Sequence, residues 1–321
     1  MRSLKVGVIG IGRLGSFHLQ KYQNLEGCQV TAVADTDAKR LKRFGRTREI
    51  KSVTDYREIL EDVEAVSIAT PTSTHFEIAR ECLRRGIHTL VEKPICTTPS
   101  EAEILLKEAE RAGVKLQVGH VERFNPAVLK ADALVDTPLF LEIHRLGNFS
   151  KRGTDVDVIL DLMIHDLDLV NHYVKSPVRL VSAAGVPVLT PQGDIANVRL
   201  EFENGCVANL TASRVSREKT RKFRIFQPNG YLSIDLLNHE VTWVRKITKQ
   251  VLGRPVVFPR KLKVPKIDAL EAEISSFVRA VVRDQPVEVS GEDGLNALVL
   301  AIKIKEEMQK RLQTALSHSR S

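Results

Sequence analysis

The sequence of 321 residues predicts two kinds of domain: a doubly wound parallel α/β sheet, then an α+β domain whose open, mostly antiparallel sheet carries helices on one face. Three observations carry this prediction. Short apolar runs alternate with helical segments through residues 1–122, which is the pattern of βαβ units around a parallel sheet. A glycine-rich turn, GIGRLG, follows the first apolar run directly. Beyond Val178 alternation of period two takes over, the mark of half-buried strands.

Leu4 to Ile9 is the first strand, and Gly10, Gly12 and Gly15 then fit G-x-G-x-x-G, with Arg13 and Leu14 inside the turn. A helix over Ser16 to Leu25 and a strand over Val30 to Ala34 follow, closing at Asp35, 20 residues beyond Gly15. The glycines permit a tight turn and let a pyrophosphate approach a helix N-terminus, while the acid accepts hydrogen bonds from the adenosine ribose. This ordered set is the Rossmann dinucleotide-binding fingerprint. A carboxylate repels a 2′-phosphate, and Thr36 and Asp37 add no positive charge, so the expected cofactor is NAD rather than NADP. Arg40 and Lys42 read as solvent-facing.

The alternation continues with a strand over Ala65 to Ala69, broken at TPTSTH, Thr70 to His75. A helix from Phe76 to Arg85 closes at Gly86, and a strand over His88 to Val91 leads into Glu92, Lys93 and Pro94. Adjacent side chains on an extended chain point to opposite sides, so Glu92 and Lys93 serve different partners. Thr98-Pro99-Ser100-Glu101 is a capping box that opens a helix ending near Gly113, and Lys115 to Val118 is the last strand. Ligands on such sheets bind beyond the carboxyl ends of the strands, where the glycine turn, the Thr70 loop and Glu92-Lys93 all fall.

Residues 123–321 form the second domain. A helix over Asn125 to Val135 and a strand over Leu139 to Leu146 precede a helix from Asp161 to Val174, which sets Asp161 and His165 at i and i+4. Asp166 and Asp168 read as capping or pairing on that helix, and His172 as structural. Ala196 to Phe202 and Cys206 to Leu210 make a hairpin. A three-residue loop with Gly205 left-handed sets Phe202 opposite Cys206 and Leu200 opposite Ala208, so apolar meets apolar; a two-residue loop would set Leu200 against Asn209. Strands over Arg221 to Phe226 and Gly230 to Asp235 extend the sheet, whose outward face carries Asn197, Arg199, Asn209 and Thr211. A final helix spans about 295–312, and the tail from Thr314 reads as frayed.

Composition excludes several classes. A hydrophobic share of 43% is that of a folded soluble protein rather than a disordered one. The run from Val6 to Gly12 is too short to span a membrane and ends at Arg13 without a cleavage pattern, so neither a membrane partner nor a secretory signal is expected. Cys28, Cys82, Cys96 and Cys206 lack metal-ligand and CxxC spacing, which predicts reduced thiols in a cytoplasmic protein and no metal. The net charge of +8 comes without zinc-finger spacing, an RNA-binding signature or a long basic run, so an anionic small substrate is expected and no nucleic acid. SREKTRKFR, Ser216 to Arg224, is the densest basic segment. It reads either as a solvated hairpin tip or as a phosphate-binding segment, with Arg123 and Arg214 as further candidates.

GIGRLG, ATPTSTH, VEKPI, GHVERFNP, DLMIHD and the late VSGEDGLNAL resemble the Gfo/Idh/MocA family of NAD(P)-dependent sugar oxidoreductases. The resemblance implies that Glu92 contacts the nicotinamide ribose beside a loop of Thr70, Pro71 and His75, and that the Lys93–Pro94 bond is cis. It implies that Lys93 reaches the reacting hydroxyl, donating a hydrogen bond or sharing the base role. His165 then acts as general base, held by Asp161. Family members often carry glycines before this motif, where this chain has VDVIL. GHVERFNP, DLMIHDLD and ASRVSREKTRKFRIF look most like the branch acting on UDP-N-acetylglucosamine at C3, which implies substrate contacts from Arg123, Asn125 and Arg214. The family's sheet face implies a homodimer or homotetramer. The other readings are a different sugar or inositol dehydrogenase, a more distant NAD-dependent glycosidase, and a non-catalytic NAD-binding sensor. Retention of Lys93, Asp161 and His165 argues against the sensor.

Overall fold

Six short strands build the first sheet, and the central ones, Leu4–Ile9, Ala65–Ile68 and His88–Glu92, are apolar enough to be covered on both faces. The computed structural model describes residues 3–42, 50–149, 157–251 and 254–318. Its first part runs β1 (Leu4–Ile9), α1 (Arg13–Gln23), β2 (Cys28–Ala34), α2 (Ala38–Leu41), β3 (Lys51–Val53), β4 (Ala65–Ile68), α3 (His75–Arg84), β5 (His88–Glu92), α4 (Pro99–Ala112) and β6 (Leu116–Gly119). All pairs are parallel, in the order β3-β2-β1-β4-β5-β6. The order reverses between β1 and β4, which is where such a sheet opens a crevice for ligand. Helix α1 starts at Arg13, earlier than its sequence suggests, because the glycine turn forms its first residues. The capping box is formed at α4, with the Thr98 hydroxyl accepting from the Glu101 N–H and Gly113 left-handed at the far end.

The chain then continues through α5 (Pro126–Asp132), β7 (Phe140–Leu146), a π-helical turn (Ile159–Met163), α6 (Ile164–Val174), β8 (Val178–Val186), β9 (Ile195–Phe202), β10 (Val207–Ser213), β11 (Thr220–Gln227), β12 (Gly230–Asp235), β13 (Glu240–Val251), β14 (Arg254–Leu262), α7 (Ala269–Val282) and α8 (Gly291–His318). The eight-stranded sheet has the order β14-β13-β12-β11-β7-β10-β9-β8, antiparallel except where β7 meets β10. The β9–β10 hairpin has the three-residue loop, with Leu200 opposite Ala208 and Gly205 at φ +84°. Leu141, Ile143, Val198, Leu200, Ala208 and Leu210 point inward onto Leu167, Val170, Ala301 and Ile304 of the helices. Among the described residues no helix is long and apolar enough to cross a membrane.

Three features depart from the linear reading. The chain forms two units, Met1–Val121 with Asp268–Leu295, and Glu122–Ile267 with Asn296–Ser321, so the second domain is not one continuous stretch. The cause is α7, whose Ile274, Phe277 and Val278 join the core of Val6, Val8 and Leu19. Lys21 on α1 anchors its start through Asp268 at 2.8 Å and Glu271 at 3.1 Å. Strands β13 and β14 occupy a cation-rich stretch that shows no plain strand signal. Helix α8 begins at Gly291 rather than near 295, after Ser290 and Asp293 cap one another, and it runs to His318, so residues 314–318 are helical rather than frayed.

Candidate active site

The crevice of the first unit is built from backbone. Gly10 adopts φ +88°, and a Cβ on Gly15 would sit 1.8 Å from the Gly10 carbonyl oxygen, so no larger residue fits. Gly12 caps α1 without a side-chain hydrogen bond, which leaves the helix start open to an anion, with Arg13 and Leu14 exposed beside it. A cavity of about 480 Å³ extends from these glycines past Asp35, Arg40, Thr70 and Pro71.

Asp35 is buried at the end of β2, accepting from the Ile11 N–H at 2.7 Å and the Asp37 N–H at 2.8 Å. Arg40 does not simply face solvent as the sequence suggests. Its Nη1 lies 3.3 Å from the Asp35 carboxylate and it lines the same cavity. That cation offsets part of the repulsion Asp35 exerts on a 2′-phosphate.

His75 ties the Thr70 loop in place. Its Nδ1 lies 2.9 Å from the Pro94 carbonyl oxygen and its Nε2 2.9 Å from that of Thr70. Burial lowers its pKa, against the two carbonyls, which favour the charged ring. Glu92 ends β5, buried, with His18 Nε2 at 2.9 Å from Oε1 and the Lys93 N–H donating to Oε2 at 3.2 Å. The Lys93–Pro94 peptide is cis and Lys93 is half-buried.

The second unit holds a different kind of site. Arg145 grips Asp166 with two hydrogen bonds of 2.8 Å and donates to Glu122 at 3.0 Å, all three being buried. Burial opposes the charge of Arg145, but the two carboxylates prevail and hold it above its usual range. Burial likewise opposes the Glu122 carboxylate, and Arg145 wins, holding its pKa down. Arg221 reaches the same Glu122 at 3.4 Å with its side chain 45% exposed. A cavity of about 250 Å³ is lined by Arg145, Gly147, Asn148, Asp161, Arg214, Lys219 and Arg221. The basic segment is thus only partly a solvated tip, since Lys219 and Arg221 turn onto this cavity.

The other expected residues divide between site and scaffold. Asp161 lies in the π-helical turn, one element before His165 in α6, not on one continuous α-helix. Such turns recur at functional sites. Arg123 is buried with its Nη1 3.6 Å from Asp168, so Asp168 pairs off its own helix, as does Asp166. Asn125 caps α5 through the Ala127 N–H and donates to Glu122 and to the Leu236 carbonyl. Arg214 is buried against Asp194 at 3.2 Å and donates to the Gly193 carbonyl at 3.1 Å. His172 lies 3.5 Å from Asp132. Sequence reasoning overlooked Arg145, although Leu141, Ile143 and Arg145 share the inward face of β7, which period-two counting exposes. It also overlooked His18, which shares the buried face of α1 with Leu19 and Tyr22.

Comparison with known proteins gives the same frame. The sequence profile of the GFO/IDH/MocA oxidoreductase family, NAD-binding Rossmann fold, matches residues 4–120, and the profile of that family's C-terminal domain matches residues 129–233. A UDP-N-acetylglucosamine 3-dehydrogenase of Acidithiobacillus ferrooxidans is 38% identical over 98% of this chain and all of its own. A solved structure of that enzyme superposes with a TM-score of 0.90 at 37% identity, covering 97% of this chain and 99% of its own. A myo-inositol 2-dehydrogenase of Thermotoga maritima is 26% identical over 98% of both chains. The chain belongs to the Gfo/Idh/MocA oxidoreductase family, and its residues 4–120 are that family's NAD-binding Rossmann domain.

Proposed function

We propose that this chain is an NAD-dependent dehydrogenase that oxidises the C3 hydroxyl of UDP-N-acetylglucosamine to a ketone. One observation carries the choice of substrate. Asp161 shares one cavity of the second unit with Lys219 and Arg221, so the segment expected to act on the hydroxyl adjoins cations suited to a diphosphate. The 38% identical relative of that name supports the same choice.

The glycine cradle fits a dinucleotide. In this reading Gly10, Gly12, Arg13, Leu14 and Gly15 hold the pyrophosphate, Asp35 the adenosine ribose, Glu92 the nicotinamide ribose, and Thr70 and Pro71 the flanking loop that His75 fixes. NAD held there would supply the acceptor for the hydride of the carbinol carbon. Asp161 orients His165, which takes the hydroxyl proton as the ketone forms, and Lys93 donates a hydrogen bond to the same oxygen. Lys219 and Arg221 grip the diphosphate. Arg214, Arg123 and Asn125 act through the groups they brace rather than through the ligand.

The enzyme works as a homodimer or homotetramer through the outward face of the second unit's sheet, where Asn197 and Arg199 are exposed. Light scattering that finds only a 35.9 kDa species would count against this. Four free thiols are in keeping with a cytoplasmic setting.

NADH absorbance with a panel of UDP-sugars, free sugars and inositols tests the reading. UDP-N-acetylglucosamine should reduce NAD, with UDP competing. Reduction by myo-inositol or a free sugar, with no inhibition by UDP, would make the chain an inositol or simple-sugar dehydrogenase.

A further inference from the structure

Behind Glu92 lies a buried polar cluster that the reaction does not use. Glu273 sits mid-helix in α7, on the same buried face as Ile274 and Phe277, and it is 0% exposed. Among the described residues neither of its carboxyl oxygens has a hydrogen-bond partner, although its backbone carbonyl accepts from Gln117 at 3.3 Å. One of its oxygens, one of Glu92 and a ring nitrogen of His18 lie within 4.8 Å of one another. His18 joins Glu92 at 2.9 Å on one side and the Ser67 hydroxyl at 3.2 Å on the other, and Ser67 meets the Tyr22 hydroxyl at 2.8 Å. The groups around Glu273 are therefore Glu92 from β5, His18 and Tyr22 from α1 and Gln117 from β6, with Ser67 of β4 behind His18 and Tyr22. At the surface, Lys21 is occupied by Asp268 and Glu271 at the start of α7.

A fully buried carboxyl with a second carboxyl this close resists taking up its own negative charge. We propose that Glu273 is a positioning residue for Glu92: by staying neutral on the buried face of α7 it places no second negative charge beside Glu92, leaves that side chain aimed along the end of β5, and thereby sets the pH above which dinucleotide binding weakens. This rests on the reading of Glu92 as a cofactor residue. Desolvation, then the Glu92 charge, raise the Glu273 pKa well above its ordinary value, in agreement with the geometry.

The sign of the linkage follows. An acid whose folded pKa is raised binds a proton that the unfolded chain has already released. Stability is therefore fullest below the unfolded carboxyl pKa and declines as pH rises towards the folded value. Glu273→Gln keeps the shape and removes the titration.

The test compares wild type, Glu273→Gln and Glu92→Gln by thermal midpoint and by calorimetric titration of NAD, from about pH 5 to about pH 9.5. The midpoint of wild type should fall relative to that of Glu273→Gln as pH rises. The wild-type Kd for NAD should weaken at least about fivefold at the alkaline end, and Glu273→Gln should flatten that profile. Parallel profiles for the two proteins, or an equimolar divalent metal in the purified protein, would overturn the proposal. NAD binding unchanged in Glu92→Gln would instead overturn the cofactor reading of Glu92. The midpoints of wild type and Glu273→Gln would still decide the carboxyl pair, because that measurement needs no cofactor.

Discussion

The crevice of the first unit and the cavity of the second are built from opposite materials. The crevice offers a helix start, a glycine turn and one short acid, all within Gly10 to Asp35. The cavity offers long side chains from β7, from the π-helical turn and from the segment between β10 and β11. Backbone needs no counter-charge, so the crevice is complete within a few residues. Buried cations do need one, and most of the second unit's arginines spend their charge on neighbours. Arg145 is held by Asp166 and Glu122, Arg214 by Asp194 and Arg123 by Asp168. Charge density in a sequence therefore overstates what is open to a ligand: of the arginines lining the cavity, Arg221 keeps nearly half of its side chain exposed.

That contrast can be broken at several points. The largest effect is expected from Arg145→Ala, which leaves Asp166 buried without its cation and Glu122 with Arg221 at 3.4 Å. It should cost about 3–5 kcal/mol of stability, read by denaturant unfolding. A loss below about 1 kcal/mol, the range of a surface pair, would mean the pairs are not what closes the second unit. Next, Lys93→Ala or His165→Ala should lower turnover by roughly 10² or more, and His165→Ala should leave NAD affinity nearly unchanged. Turnover near wild type in both would remove them from the chemistry.

A smaller effect sharpens the comparison within the cavity. Arg221→Ala should raise the KM for a UDP-sugar about tenfold, the loss of one charge-assisted contact, with little change in melting temperature. Arg214→Ala should do the reverse, lowering the melting temperature more than it raises KM. Identical behaviour of the two variants would erase the distinction between paired and open arginines. The smallest effect is expected at Asp35. Asp35→Ala should narrow the preference for NAD over NADP by several-fold rather than abolish it, because Arg40 already stands beside the carboxylate. Calorimetric titration of both cofactors reads this, and tighter binding of NADP by wild type would contradict it.

Much of the first unit was legible because its signals are local. The strand of Leu4 to Ile9, the glycine turn, Asp35 and the Thr98 capping box each depend on spacing within a short window. The β9–β10 register was legible for the same reason, since one loop length alone puts apolar against apolar. What escaped depends on distant partners. Nothing near α7 announces that Phe277 will join the core of Val6 and Leu19. The fate of Arg123 and Arg214 was set by Asp168, 45 residues away, and Asp194, 20 residues away. The π-helical turn around Asp161 leaves the composition of a helix unchanged, so an α-helical reading of that stretch is natural and slightly wrong.

The central claim is hydride removal from one carbon of one class of substrate. UDP-N-acetylglucosamine carrying deuterium at C3 tests it most directly, with the reduced cofactor analysed by mass spectrometry. The account predicts that the deuterium arrives in the nicotinamide ring, that the rate falls relative to the protiated sugar wherever hydride transfer is rate-limiting, and that the nucleotide sugar is left with a ketone at C3. Reduced cofactor free of deuterium, or no reduction with this sugar while myo-inositol is oxidised, would contradict it.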